Sequence, residues 1–178
     1  MMTQERLDLL LKRLQQNGEK AALEEVYHLM RKEVYAVAYG ISRHKETAED
    51  VVTETFLRLI PAVKKYVPRG QARAFVLKIA RNTALEMTRK QKREQAAENL
   101  PEEAVFDPDA EGKITCLSLV GRLKLTEREV IILHYYHDLT FAEIARITGR
   151  AEGTVKYRHT SALKRLKELY EQKGERRQ

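Results

Sequence analysis

Between Leu125 and Lys167 the chain is punctuated so that few folds remain open to it: an apolar segment with a start signal, a glycine, then a basic segment of helical period. Thr140 with Glu143 three residues on forms a capping box, which predicts a helix over 140–148. Gly149 ends it. After the turn, Gly153-Thr154-Val155-Lys156 begins a second helix, whose faces follow from stepping about 100° per residue. Val155, His159, Ala162 and Leu166 fall on one side, with Leu163 at its margin. Tyr157, Thr160, Ser161 and Lys164 fall on the other, flanked by Lys156. The apolar stripe is expected to dock on the first helix. The polar stripe is then free to enter a DNA major groove, where hydroxyl and cationic side chains reach base edges.

The rest of the chain is also patterned for helices. Leu7, Leu10, Leu11 and Leu14 repeat at helical spacing, as do Leu23, Val26, Tyr27, Met30, Val34, Val37 and Ile41, and no stretch alternates like a strand. An all-α fold is predicted. With 178 residues, 43% hydrophobic and 33% charged, the apolar material suffices for two small cores rather than one large one. Net charge is +7, from 33 Lys and Arg against 26 Asp and Glu, as suits a partner of phosphate. The charge is unevenly placed. From Arg69 to Arg93 there are eight basic residues and one acid, Glu86, whereas from Glu94 to Glu111 there are seven acids and no base. That reversal, carried with Pro101 and Pro108, predicts an acidic, flexible linker (94–116) between basic helical domains at 1–93 and 117–178.

A helix from about Glu46 places Val52, Thr55, Phe56, Leu59 and Val63 inward. Outward lie Glu46, Asp50, Thr53, Glu54 and, among these polar groups, Leu57. Charge that orients a partner around an apolar residue that supplies contact area makes a protein-docking surface; a solvated face with one exposed leucine is the alternative. Pro61 should kink or end that helix near Ile60. A further helix from about Gln71 turns Val76, Ile79, Ala80, Thr83 and Met87 inward and Lys78, Arg81, Asn82, Leu85 and Arg89 outward.

No run is long and apolar enough to cross a bilayer, and the first residues lack the parts of a signal peptide, so a cytoplasmic location is expected. Cys116 has no partner for an internal disulfide. His134 and His137 stand one turn apart, but the spacing is generic and no cysteine pair accompanies them, so no metal site is assigned. No cofactor motif is present. There is no nucleophile elbow or phosphate-cradling glycine loop, and no enzymatic activity is expected.

Residues 48–58 (Ala48-Glu49-Asp50-Val51-Val52-Thr53-Glu54-Thr55-Phe56-Leu57-Arg58), 74–86 (Ala74-Phe75-Val76-Leu77-Lys78-Ile79-Ala80-Arg81-Asn82-Thr83-Ala84-Leu85-Glu86) and the basic run 89–93 closely resemble the second region of bacterial RNA polymerase sigma factors. Beside them, Leu125-Thr126-Glu127-Arg128-Glu129-Val130 through Gly153-Thr154-Val155-Lys156 resembles the fourth region. The size matches the two-domain extracytoplasmic-function (ECF) group. The resemblance implies core RNA polymerase and promoter DNA as partners, with an anti-sigma factor by analogy. It implies that Asp50, Thr53, Glu54 and Leu57 grip the polymerase. At the melted -10 element it implies Tyr66, Arg69, Arg73, Lys78, Arg81, Asn82 and Arg89, with cations on phosphates and Asn82 on a base edge. The loop 64–70 matches the loop that captures a flipped base; Tyr66 is either its stacking surface or a helix end packed on the core. At the -35 duplex it implies Lys156, Tyr157, Thr160, Ser161 and Lys164 toward bases and Arg158 and Arg165 toward phosphates. The acidic linker is expected along the polymerase's nucleic-acid channel.

The chain departs from the family pattern at Val76, where tryptophan is common, at Glu86, usually aspartate, at Ala151, often a capping serine, and at His159, usually aliphatic. Two other readings stay open. Residues 125–130 also resemble the opening of LuxR-type regulators, which bind operators without core polymerase. A non-DNA adaptor that docks a protein on the 46–57 face is the other.

Overall fold

The computed structural model describes residues 4–97 and 116–175, all its elements there are helical, and the chain divides into two compact units, Met1–Glu94 and Gln95–Gln178. Most of the acidic linker expected at 94–116 lies outside the described residues; its first residues continue a helix to Ala97. Among the described residues, no helix is long and apolar enough to cross a membrane.

The first unit contains α1 (Gln4–Asn17), α2 (Lys20–Ser42), α3 (Lys45–Ala62) and α4 (Ala72–Ala97). Each carries an apolar residue every third or fourth position, so each has one stripe to hide. Leu7, Leu10, Leu11 and Leu14 of α1, Val26, Met30, Val34 and Val37 of α2 and Val51, Val52, Phe56 and Leu59 of α3 are all buried, with α2 packed on both α1 and α3. Gly18 turns the chain between α1 and α2 with a positive φ of 60°, a conformation that costs glycine nothing. Pro61 stands within α3, which runs one residue beyond it to Ala62 before tightening into a 3-10 turn at Val63–Lys65. The helix therefore ends slightly later than Pro61 predicts, because a proline in the last turn still finds its φ satisfied. In α4 the inward set is Val76, Leu77, Ala80, Thr83 and Ala84, with Ile79 and Met87 half-buried at its edge. Polar links clamp α4 on its neighbours: Thr47 Oγ1 donates to Gln91 Oε1 at 3.0 Å, and Arg73 Nε to Glu33 Oε2 at 2.7 Å.

The second unit contains α5 (Cys116–Gly121), α6 (Leu125–Ile131), a π-turn at Ile132–Tyr136, α7 (Phe141–Thr148) and α8 (Glu152–Glu175). The expected capping box opens α7. The Glu143 amide donates to Thr140 Oγ1 at 3.3 Å and the Thr140 amide to Glu143 Oε2 at 2.8 Å. Gly149 closes α7 at φ 65°, donating to the Ala145 carbonyl. Ile144 and Ile147 of α7 and Val155, Ala162 and Leu169 of α8 are buried with Val120, Leu123, Val130, Ile131 and Leu133. α8 starts at Glu152, one residue before the glycine expected to open it, with the Val155 amide bonding the Ala151 carbonyl. Ala151 thus stands where a side-chain cap would sit and can supply none.

Replacing Leu59, fully buried in the first unit, with alanine should destabilise the chain by roughly 2–5 kcal/mol in urea unfolding. In the second unit, Thr140→Ala should cost about 1 kcal/mol and Ala151→Ser should gain about as much, seen as opposite changes in hydrogen exchange at the α7 and α8 amides.

Candidate nucleic-acid interface

In the second unit the start of α8 stands clear of the core. Val155 is buried beneath it, while Lys156, Tyr157, Thr160, Lys164 and Arg165 are exposed, Tyr157 to 74%. Arg158 is half-buried at the flank. Lys156 Nζ rests 2.7 Å from Glu152 Oε1, Arg165 lies 3.9 Å from Glu168, and the Thr160 hydroxyl donates to the Lys156 carbonyl at 3.1 Å. Exposed ion pairs of this kind are weak and yield readily to a phosphate.

Ser161 departs from the expectation. Its hydroxyl donates to Glu127 Oε1 at 2.6 Å, and the side chain is half-buried between α8 and α6. At 100° per residue Ser161 falls on the outward arc with Thr160, but α6 packs against this side of α8 and the buried carboxylate of Glu127 holds its hydroxyl. Glu127, Arg128 and Glu129 form a buried charged run. Nothing in the spacing of three consecutive charges signals this burial. Arg128 Nη1 donates to the Gly121 carbonyl at 3.0 Å, fastening α6 to the end of α5.

His159 faces the inner side of α8, as its position on the wheel requires. It joins a ring cluster with His134, Tyr135 and Phe141, and its Nε2 is 3.1 Å from the Tyr135 hydroxyl. Burial, with the neighbouring His134 second, pushes its pKa down, which disfavours the charged imidazolium. His134 stacks on Phe141 at 4.8 Å, and its Nδ1 lies 2.8 Å from the Leu139 carbonyl. These histidines brace the approach to α7. Among the described residues, no three His, Cys, Asp or Glu side chains cluster as metal ligands.

In the first unit α4 presents Lys78, Asn82 and Arg89 to solvent, with Leu85 and Arg81 half-buried. Asn82, Leu85, Glu86, Arg89 and Arg93 line an open groove of about 270 Å³. An acid in a basic groove would repel phosphate, but Glu86 is answered by Arg58 of α3. Arg58 Nη1 and Nη2 donate to its two carboxylate oxygens at 2.5 and 3.2 Å, and Nε donates to Glu54 Oε1 at 2.6 Å. Those bonds hold the Glu86 carboxyl below the usual carboxylate range.

Arg69 is exposed on the loop before α4, whereas two other expected contacts are not available there. Tyr66 is only 5% exposed; its ring packs on Phe75 at 4.9 Å and its hydroxyl donates to the Asp8 carboxylate. Burial, reinforced by Asp8, raises its pKa. The packed helix end, not the stacking surface, is the arrangement found, because Phe75 supplies an aromatic neighbour nine residues on. Arg73 is likewise engaged with Glu33 in a half-buried pair, so its charge is neutralised within the fold. Val67 is the exposed apolar residue of this loop.

On α3, Asp50 and Thr53 are exposed, Glu54 is half-buried against Arg58, and Leu57 is 57% exposed. Ile60, one turn beyond at 43%, extends the patch. The docking face expected from the sequence, 46–57, stops short of it.

The family models described as Sigma-70 region 2 and Sigma-70, region 4 match residues 26–94 and 117–166. The chain is 27% identical over 155 residues to the ECF RNA polymerase sigma factor SigM of Bacillus subtilis, covering 83% of this chain and 94% of that one. It is 30% identical over 165 residues to the ECF RNA polymerase sigma factor SigD of Mycobacterium bovis, covering 85% and 78%. Among solved structures, the sigma factor RpoE of Bartonella quintana, crystallised with the anti-sigma factor NepR, is similar at a TM-score of 0.72 and 27% identity, covering 86% of this chain and 98% of that one. A LuxR-type reading leaves residues 26–94 unexplained. With both regions matched in order along one polypeptide, the chain belongs to the ECF group of the sigma-70 family.

Proposed function

We propose that this protein binds core RNA polymerase through α3 and directs it to promoters, α8 reading the duplex -35 element and α4 with its preceding loop holding the separated -10 strand. The observation that carries this is the pairing of two sigma-70 regions, 26–94 and 117–166, each with a cationic helix face turned to solvent. Lys156, Tyr157, Thr160 and Lys164 are placed to reach base edges, and Arg158 and Arg165 to reach phosphates. Asn82 offers an amide for a base edge, while Lys78, Arg89 and Arg69 offer charge to the strand. Val67, exposed beside Arg69, replaces Tyr66 as the apolar surface against an unstacked base. Leu57, Ile60 and Asp50 form the polymerase-facing patch, where a leucine ringed by polar groups supplies desolvated contact. The protein works by binding rather than by catalysis and acts in the cytoplasm beside the polymerase. A solved relative is held by an anti-sigma factor, and a regulator of that class is a partner of this chain too.

Run-off transcription with purified core polymerase on a genomic fragment library tests the reading: specific start sites are expected only when both proteins are present. Leu57→Glu should weaken binding to core polymerase by about 2 kcal/mol or more, roughly thirtyfold, in a direct binding assay, with the fold intact by circular dichroism. Lys156→Ala should leave core binding unchanged while costing about 1–3 kcal/mol in promoter discrimination, and Asn82→Ala should suppress strand opening in permanganate footprints. Equal loss of core binding in all three would overturn the division of labour.

A further inference from the structure

The family match to region 2 begins at Val26, so α1 lies outside it. Its leucines fill the core, and its polar residues do something more specific. Gln15 Nε2 donates to two main-chain carbonyls, Lys64 O at 3.2 Å and Tyr66 O at 2.9 Å. Asp8 accepts from the Tyr66 hydroxyl, and Gln4 Oε1 accepts from the Arg73 amide at 3.4 Å. Positions 4, 8 and 15 fall within about 40° of one another around a helix. A single face of α1 therefore meets both ends of the segment from residue 64 to residue 73, at Lys64 and Tyr66 on one side and at Arg73 on the other.

The carbonyls that Gln15 binds are ones a helix end leaves without partners, since α3 and its 3-10 turn stop at Lys65. An amide NH₂ from another helix supplies what the loop cannot supply itself. Beyond that point the loop continues through Val67, Pro68 and Arg69 to Gly70 at φ 66°, with all four exposed. A loop held at its base by side chains from a packed helix presents its tip in one geometry, and selectivity toward a flexible single strand depends on such geometry.

We infer that α1 is a positioning element for capture of the -10 strand: Gln15, aided by Asp8 through Tyr66, holds residues 64–66 so that Val67 and Arg69 meet the unpaired strand in one register. The inference rests on the strand-holding role proposed for this loop. Gln15 is a positioning residue, touching the loop backbone and not the DNA.

The test uses the full chain with core polymerase and a promoter library randomised across the -10 element. Gln15→Glu is nearly isosteric but sets a carboxylate against two carbonyls, whereas Gln15→Lys keeps a donor that reaches them. Gln15→Glu should slow open-complex formation about tenfold and flatten base preference within the -10 element. Its core affinity and -35 dependence should stay within twofold of the wild type, and Gln15→Lys should keep the wild-type preference. Asp8→Asn, which removes the charge facing Tyr66, should shift preference in the same direction by less. Wild-type preference in Gln15→Glu overturns the inference, as does a parallel loss of core affinity, which would mark α1 as a folding element only. Absence of specific transcripts from the wild type overturns the promoter reading itself, so the two failures are told apart.

Discussion

Every helix here has one narrow apolar stripe and must bury it, and most of the molecule's chemistry follows from that requirement. At roughly 25 cal/mol per Å² of apolar surface removed from water, the stripe outweighs anything the charged residues contribute at the surface. Packing decides which way each helix faces, and the cations are turned outward as a result. Val155 and Ala162 lie beneath α8 as Val76, Leu77 and Ala80 lie beneath α4. In both units the face left over is basic and rich in hydrogen-bond donors.

Acids within these faces are handled individually. Glu86 is gripped by Arg58 from the neighbouring helix, Glu152 pairs with Lys156 along its own, and Glu127 is buried and bound by Ser161. The first two set a cation against the carboxylate and so weaken its repulsion toward phosphate. Arg58 does more, since it also holds Glu54. One guanidinium thereby links α3 to the groove lined by Asn82 and Arg89, and its planar fork suits that double task better than an ammonium would.

Periodicity made the helices legible, and with them the inward residues of α3, α7 and α8, because a 3.6-residue repeat is a local property. The capping box at Thr140 and the stop at Gly149 were legible for the same reason. Contacts between distant segments were hidden. The two readings of Tyr66 could not be separated because its partners, Asp8 and Phe75, lie 58 residues before it and nine after. Arg73 looked like a phosphate ligand because Glu33 is forty residues away. Ser161 and Glu127 gave no hint of each other, since a short hydroxyl is equally at home against a neighbouring helix or in solvent. Charge neutralisation between distant residues leaves no trace in spacing.

The bond from Ser161 to Glu127 fixes the angular setting of α8, because a rotation about the helix axis large enough to exchange one outward side chain for the next would carry the serine hydroxyl out of reach. The outward side chains at 156, 157, 160 and 164 can therefore be exchanged without disturbing that setting, while 161 belongs with the scaffold and has to travel with position 127.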